Sequence, residues 1–480
     1  MASFISTARL GRRTLIGAAS ALAAFGRRFG TEARTTRTVR FAFFGTDSEQ
    51  QAYRRLIAAF QEKHPDIAIE QIGMGSGDPS LAIGRATGSA YQPWLDTSFT
   101  SATPPDVFML SYQRFRHLAA RGVIEPLDAY LSASKTIRAE DFYSTALDAF
   151  RFEDEPGHGL GGIPQNASSL AVYYNLDLFE EFKVPFPADD WDWPTFASTA
   201  ARLTVDRDGD GRIGVYGLAI EPTISRYAAF VWGAGGDFVD DPDHPTKLIL
   251  DTAAAQKGLG WLASLGPAGM KVTPPEVETR RMSDLVRFGA GHAAMLIHSR
   301  RIVPTLREIT SLRWDVAPLP VGAVPANVLH SDAFCMAAGS KDKEAAWTFI
   351  EFAVGPTGQA ILAETGRTVP SLRSVAESDT FLKGTSLASA LGIQQAAVPP
   401  ANTRAFIDNI GIARRLPSIT TLPAVEASFN QTFKHAFYVD ADIPTAVTSF
   451  YTASKGILGD HLSVPRYALL ESETENAAEE

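Results

Sequence analysis

The chain has 480 residues, 45% of them hydrophobic and 20% charged, with 38 glycines, 29 prolines and a single cysteine. That composition excludes a disordered, collagenous or disulfide-stapled protein and is enough for two or three packed cores. Forty-four Lys and Arg against 54 Asp and Glu give a formal charge of −10 and a pI near 5.5, which argues against general binding to nucleic acid or anionic membranes.

The first thirty residues break the acidic pattern, because they carry Arg9, Arg12, Arg13, Arg27 and Arg28 and no acid. Without them the net charge falls to −15. A stretch of Ala, Gly, Ser and Leu follows Arg12-Arg13 and is too short for a membrane span, so residues 1–30 read as a signal peptide of twin-arginine type. An Arg-rich transit peptide is the competing reading. Past the leader no run of 18 apolar residues occurs, and Cys335 is expected to be a small buried hydrophobe.

Val39 to Phe44 is an apolar strand ending at Gly45-Thr46-Asp47, and Tyr53, Leu56, Ile57 and Phe60 then mark one face of a helix. Pro65-Asp66 stops it and Ile67 to Ile72 resumes as a strand, giving a right-handed β-α-β unit with parallel strands. Gly73 to Gly77 lacks the Lys-Ser/Thr of a phosphate loop and reads as a turn. Further strands are expected at Val107 to Leu110, Leu170 to Tyr174, Tyr216 to Ile220, Ala293 to Ile297 and Trp314 to Leu319. Asp192 is a predicted N-cap before Trp193-Pro194, a helix is expected from Asp342 to Val354, and the glutamate-rich residues 471–480 read as a solvated tail. Alternation of short strands with helices makes the class α/β.

Asp206, Asp208 and Asp210 precede Gly211 with the first spacings of a calcium loop, but Gly217 stands where its bidentate Glu belongs. Either a structural calcium turn or a plain Asx-type turn fits. No zinc-type spacing, Walker motif or nucleophile elbow occurs, and the adjacent His330, Ser331 and Asp332 cannot converge as a triad from one strand.

Several stretches taken together resemble the extracellular solute-binding proteins of bacterial ABC importers, in the carbohydrate-binding family. They are Phe60 to Ile67, Pro105-Asp106-Val107-Phe108, Gly122 to Leu127, Gly162-Ile163-Pro164, Tyr173-Tyr174-Asn175, Phe288 to Met295, Ser340 to Trp347 and Pro356-Thr357-Gly358-Gln359. The resemblance implies a type II periplasmic-binding fold: two discontinuous α/β lobes closing by a hinge on a carbohydrate, without catalysis or a required cofactor. The solute would be an oligosaccharide, a sugar acid or a sugar phosphate. Expected partners are that solute and the permease subunits of an ABC transporter, the protein acting as a periplasmic monomer with no nucleic acid. Residues 39–150 plus 296–329 are expected in the first lobe, and 157–294 plus 332–465 in the second. The positions carried over as ligand contacts are Thr46, Asp47, Ser111, Gln113, Arg114, Asn166, Ser168, Glu221, Thr223, Trp232, Gly235, Arg300, Arg301, His330 and Asp332. Trp232 would be the stacking platform. Arg300 and Arg301 would suit an anionic solute, since a guanidinium fork matches carboxylate or phosphate; pairing with a neighbouring acid is the plainer alternative. A secreted sugar-cleaving enzyme and a calcium-dependent adhesin are the competing functions.

Overall fold

The computed structural model describes residues 37–45, 47–72, 88–152, 159–242, 244–383, 400–417 and 419–462. The leader, Thr46, the glycine turn at 73–77 and the acidic tail lie outside the described residues.

Strand β1 (Arg37–Ala42), helix α1 (Asp47–Lys63) and strand β2 (Ile67–Ile72) form the expected β-α-β unit, with Arg37 beside Ile67 and Ala42 beside Ile72 in a parallel register. Ala52, Tyr53, Leu56, Ile57 and Phe60 are all buried, which is the helical stripe that the sequence spacing demanded. The first sheet adds β3 (Val107–Ser111), which runs into helix α2 (Tyr112–Ala119), and the short β4 (Ile163–Pro164).

The second sheet is built from β5 (Leu170–Asn175), β6 (Tyr216–Ala219), β7 (Ala293–Ser299) and β8 (Trp314–Ala317), in the order β8-β5-β7-β6. Helix α3 (Trp193–Arg202) packs on it, and Asp192 caps that helix by accepting the Thr195 amide at 2.9 Å, as expected. Gly217 is required where α3 crosses β6, because a Cβ there would lie 1.9 Å from the Ala200 carbonyl oxygen. Helix α4 (Ile224–Gly233) packs on α5 (Ala253–Ser264), and α6 (Asp284–Gly289) leads into β7.

The chain then crosses back. A short β9 (Asn327–Val328) precedes β10 (Asp332–Met336), which enters the first sheet antiparallel to β3, giving the order β2-β1-β3-β10-β4. Cys335 in β10 is fully buried, as expected, and burial pushes its thiol pKa up.

This reverses part of the expected lobe assignment. Residues 296–299 and 314–317 belong to the second sheet, and 332–336 to the first. Helices α7 (Lys343–Val354) and α8 (Pro356–Ala363) also pack on the first lobe, where Phe349 lies 5.0 Å from Phe41 and 5.1 Å from Phe60 between ring centroids. Only later does the chain return: β11 (Ala413–Arg414) pairs with β9, and α9 (Leu422–His435) packs Phe429 5.5 Å from Tyr227 of α4. Among the described residues no helix is long and apolar enough to cross a membrane.

Candidate functional site

Three extended segments run beside one another between the lobes and bond to one another. Ser168 and His330 exchange backbone hydrogen bonds, His330 N to Ser168 O at 2.7 Å and Ser168 N to His330 O at 2.8 Å. Gln165 N donates to Asp332 O at 2.8 Å, and Ala167 N donates to Val369 O at 2.9 Å. Residues 165–169, 328–332 and 367–371 therefore make a three-ply hinge whose amides and carbonyls satisfy one another between the lobes. Ser168 is buried and its Oγ accepts the Val369 amide at 3.2 Å, so it braces this hinge.

Charged side chains from both lobes gather beside the hinge. From the first lobe come Glu49 of α1, Asp332 at the start of β10, and Arg367. Arg367 pairs its Nε with Glu49 Oε1 at 2.5 Å and donates from Nη1 to the Arg301 carbonyl at 3.3 Å. Asn166 donates from Nδ2 to Asp332 Oδ2 at 3.4 Å, and its Oδ1 accepts the Asp332 amide at 3.3 Å. Burial raises the Asp332 pKa, opposed by the Asn166 bond and by Arg367 and Arg301, and reinforced by Glu49. Ser111 stands opposite Asp332 in the sheet register, on the same strand end.

The second lobe supplies Glu221, Arg226, Asp284, His298 and Arg301. Burial lowers the pKa of Arg226 and the charge of Arg301 lowers it further, while partial enclosure and then the charge of Arg367 lower that of the outward-reaching Arg301. Glu221 opposes the shift in both, while Glu49 and Asp332 oppose it in Arg301. Among the described residues, neither arginine has a carboxylate within ion-pairing distance. Arg226 is 9% exposed and its Nε has no hydrogen-bond partner, and the Oγ1 of Thr223, the N-cap of α4, is likewise buried and unpartnered. Burial, then the charge of Arg226, pushes both neighbouring histidines down, His330 to about 3. Asp284 rises to about 6 through burial, with Glu221 reinforcing it. Tyr438 borders the group, its hydroxyl feeling Asp284 and Glu221. Such an arrangement offers many donors and acceptors to a polar solute.

The structure thus brings together Asn166, Glu221, Thr223, Arg301, His330, Asp332 and Ser111, and takes other expected contacts elsewhere. Trp232 is 2% exposed, with its indole nitrogen donating to Asp237 Oδ1 at 3.0 Å and the Arg414 guanidinium 4.8 Å from its ring. It is a core residue and offers no open face for stacking. Gly235 is the left-handed residue, φ +83°, that ends α4 by returning its amide to the Trp232 carbonyl, so its role is a helix stop. Arg300 is 1% exposed and lies 4.6 Å and 5.2 Å from the ring centroids of Phe381 and Phe406. It faces the second lobe's core, and neither Arg300 nor Arg301 makes the acid pair that was the plainer alternative, among the described residues. Gln113 donates to Glu426 Oε1 at 2.9 Å and Arg114 lies 4.0 Å from its Oε2, so both meet α9 in a contact between the lobes. Asp47 opens α1.

Among the described residues no three His, Cys, Asp or Glu groups converge as a metal site would need, Asp206, Asp208 and Asp210 included. Both carboxylate oxygens of Asp206 instead accept backbone amides, from Gly209 and Gly211 at 2.8 Å each, and Asp210 accepts the Arg212 amide at 2.9 Å. This is the Asx-type turn. Sequence reasoning missed Glu49, Asp284, His298 and Arg367, whose common feature, convergence at the hinge, has no local sequence signal.

Residues 55–388 match the model of the bacterial extracellular solute-binding protein family. A binding protein of Brucella abortus is 24% identical over 307 residues, 62% of this chain and 71% of that one. Among solved structures, an ABC substrate-binding protein of Listeria monocytogenes in complex with cycloalternan superposes with a TM-score of 0.72 at 20% identity, covering 88% of this chain and 99% of that one. UgpB of Mycobacterium tuberculosis in complex with glycerophosphocholine gives 0.66 at 18% identity, covering 87% and 98%. The fold is therefore the two-lobed one of periplasmic binding proteins, and the chain belongs to the bacterial extracellular solute-binding protein family.

Proposed function

We propose that the protein captures a carbohydrate-type solute between its lobes and delivers it to the permease subunits of an ABC transporter, without catalysis and with no cofactor requirement. One observation carries this reading: groups from both lobes meet at a three-stranded hinge, so a solute held there gains more contacts when the lobes close. Closure is then a population shift that the permease can read as occupancy. Polar groups such as Asn166, Glu221 and Asp332 suit hydroxyls, which donate and accept at once. The structural relatives solved with cycloalternan and with glycerophosphocholine support a hydroxylated small molecule as the solute class. The acidic net charge and the basic leader fit export to the periplasm by the twin-arginine route and action as a monomer.

Calorimetry and thermal shift over maltose, cellobiose, glucuronate, glucose 6-phosphate and glycerophosphocholine test the reading. Saturable one-to-one binding, with the solute recovered unchanged, is expected. Turnover of a bound sugar would favour the enzyme instead, and absence of any binding would remove the importer role.

A further inference from the structure

Two cationic side chains stand beside the hinge with no carboxylate within ion-pairing distance among the described residues, in a protein whose acids outnumber its bases. Arg226 is the more telling, because its guanidinium is buried on the first turn of α4 and Nε has no partner. Thr223 Oγ1, one turn earlier, is also buried and unpartnered. Arg301 is exposed in the 3₁₀ turn that follows β7, and its charge is felt by Arg226 across the gap between these elements. The N-terminal end of a ten-residue helix adds a positive dipole end to the same place.

The acids facing the group have other engagements or stand further off. Glu49 is held by Arg367 and Asp332 by Asn166. Glu221 and Asp284 couple to Arg226 through space without bonding to it, and Asp284 Oδ1 is itself buried and unpartnered. Two histidines, His298 and His330, complete the surroundings and are kept neutral first by burial and then by the same arginines.

We infer that Arg226, Arg301 and Thr223 form an anion subsite, and that the solute is a hydroxylated molecule carrying one acidic group, a carboxylate or a phosphate. This rests on the solute-capture reading and narrows it. A guanidinium buried without a bonded counter-charge is unfavourable, and an anionic oxygen pair delivered by the ligand supplies that bonded partner in the geometry that a planar fork prefers.

The experiment is calorimetric titration of the purified full chain with matched pairs: glucose against glucuronate, glucose against glucose 6-phosphate, and glycerol against sn-glycerol 3-phosphate. At least one acidic member should bind at least tenfold more tightly than its neutral partner, with affinity falling as salt rises. Arg301→Gln, at an exposed position, should lower that affinity tenfold or more while leaving the melting temperature unchanged. Arg226→Gln should do the same in the fraction that stays folded. The carboxylate and phosphate arms tell the two anion types apart. If neutral sugars bind as well as acidic ones, or if Arg301→Gln leaves acidic-ligand affinity intact, the anion subsite is refuted while solute capture stands. If nothing in either arm binds, both readings fall together.

Discussion

Arg367 donates from Nη1 to the backbone carbonyl of Arg301 at 3.3 Å, one lobe holding the other, while its Nε is paired with Glu49 at 2.5 Å. Both partners of that ion pair are 16% exposed, so solvent replaces little of it when one partner is removed. Arg367→Ala should therefore destabilise the protein by about 2–4 kcal/mol in urea unfolding, because it takes the ion-pair bond away from a Glu49 carboxylate in a mostly enclosed place. The Glu49→Gln, Arg367→Gln double variant should lose less than the sum of the single variants, a coupling of about 1–3 kcal/mol. Strict additivity would show the pair to be incidental.

Arg300 and Arg301 should behave oppositely. The Arg300 guanidinium is enclosed by Phe381 and Phe406, its Nε and Nη1 have no partner, and burial lowers its pKa to about 9. Replacing an unpaired buried charge by an apolar chain of similar length is neutral or stabilising, so Arg300→Met should change stability by about 0 to +3 kcal/mol and leave solute affinity alone. A loss of affinity at position 300 would place it in the site.

Stability should fall on the acid side because of the two histidines. In the folded chain His330 titrates near 3 and His298 well below its ordinary value, whereas the unfolded chain protonates both near 6.5. Between about pH 6.5 and 3 the unfolded state thus binds more protons, and stability drops by up to about 1.4 kcal/mol per pH unit for each histidine. Asp284 works the other way: its raised pKa, about 6, makes the folded state gain as pH falls from about 6 towards 4. His330→Gln should flatten the pH dependence of urea midpoints in that window, and Asp284→Asn should steepen it. An unchanged slope in His330→Gln would show that the ring is protonated in the folded state.

Trp232 should matter to the fold and not to the solute. Trp232→Ala removes a fully enclosed indole next to Phe238 and should cost about 3–5 kcal/mol, with affinity of the folded fraction unchanged.

The opening β-α-β unit was legible because α1 has one wet face, so Tyr53, Leu56, Ile57 and Phe60 print their period on the sequence. Lobe membership was not legible for β7 and β10. Nearly every residue of these strands is buried, so their sequences carry no face pattern, and only hydrogen-bond pairing decides which sheet they enter. The arginine pair illustrates the same limit at the site. Consecutive residues of a 3₁₀ turn point about 120° apart, so one can enter the core while the next reaches the hinge. Trp232 misled for a related reason: α4 is buried on all sides, which leaves no polar face to show which way an aromatic points. Asp192, by contrast, was readable because a cap is a local event decided within three residues.

The central claim, closure of two lobes about the hinge at 165–169, 328–332 and 367–371, is tested most directly by small-angle X-ray scattering. The protein is measured alone and saturated with the tightest-binding member of the solute panel. The expected result is a smaller radius of gyration in the saturated sample, with no change in mass. Saturation confirmed by calorimetry alongside an unchanged scattering curve would contradict it.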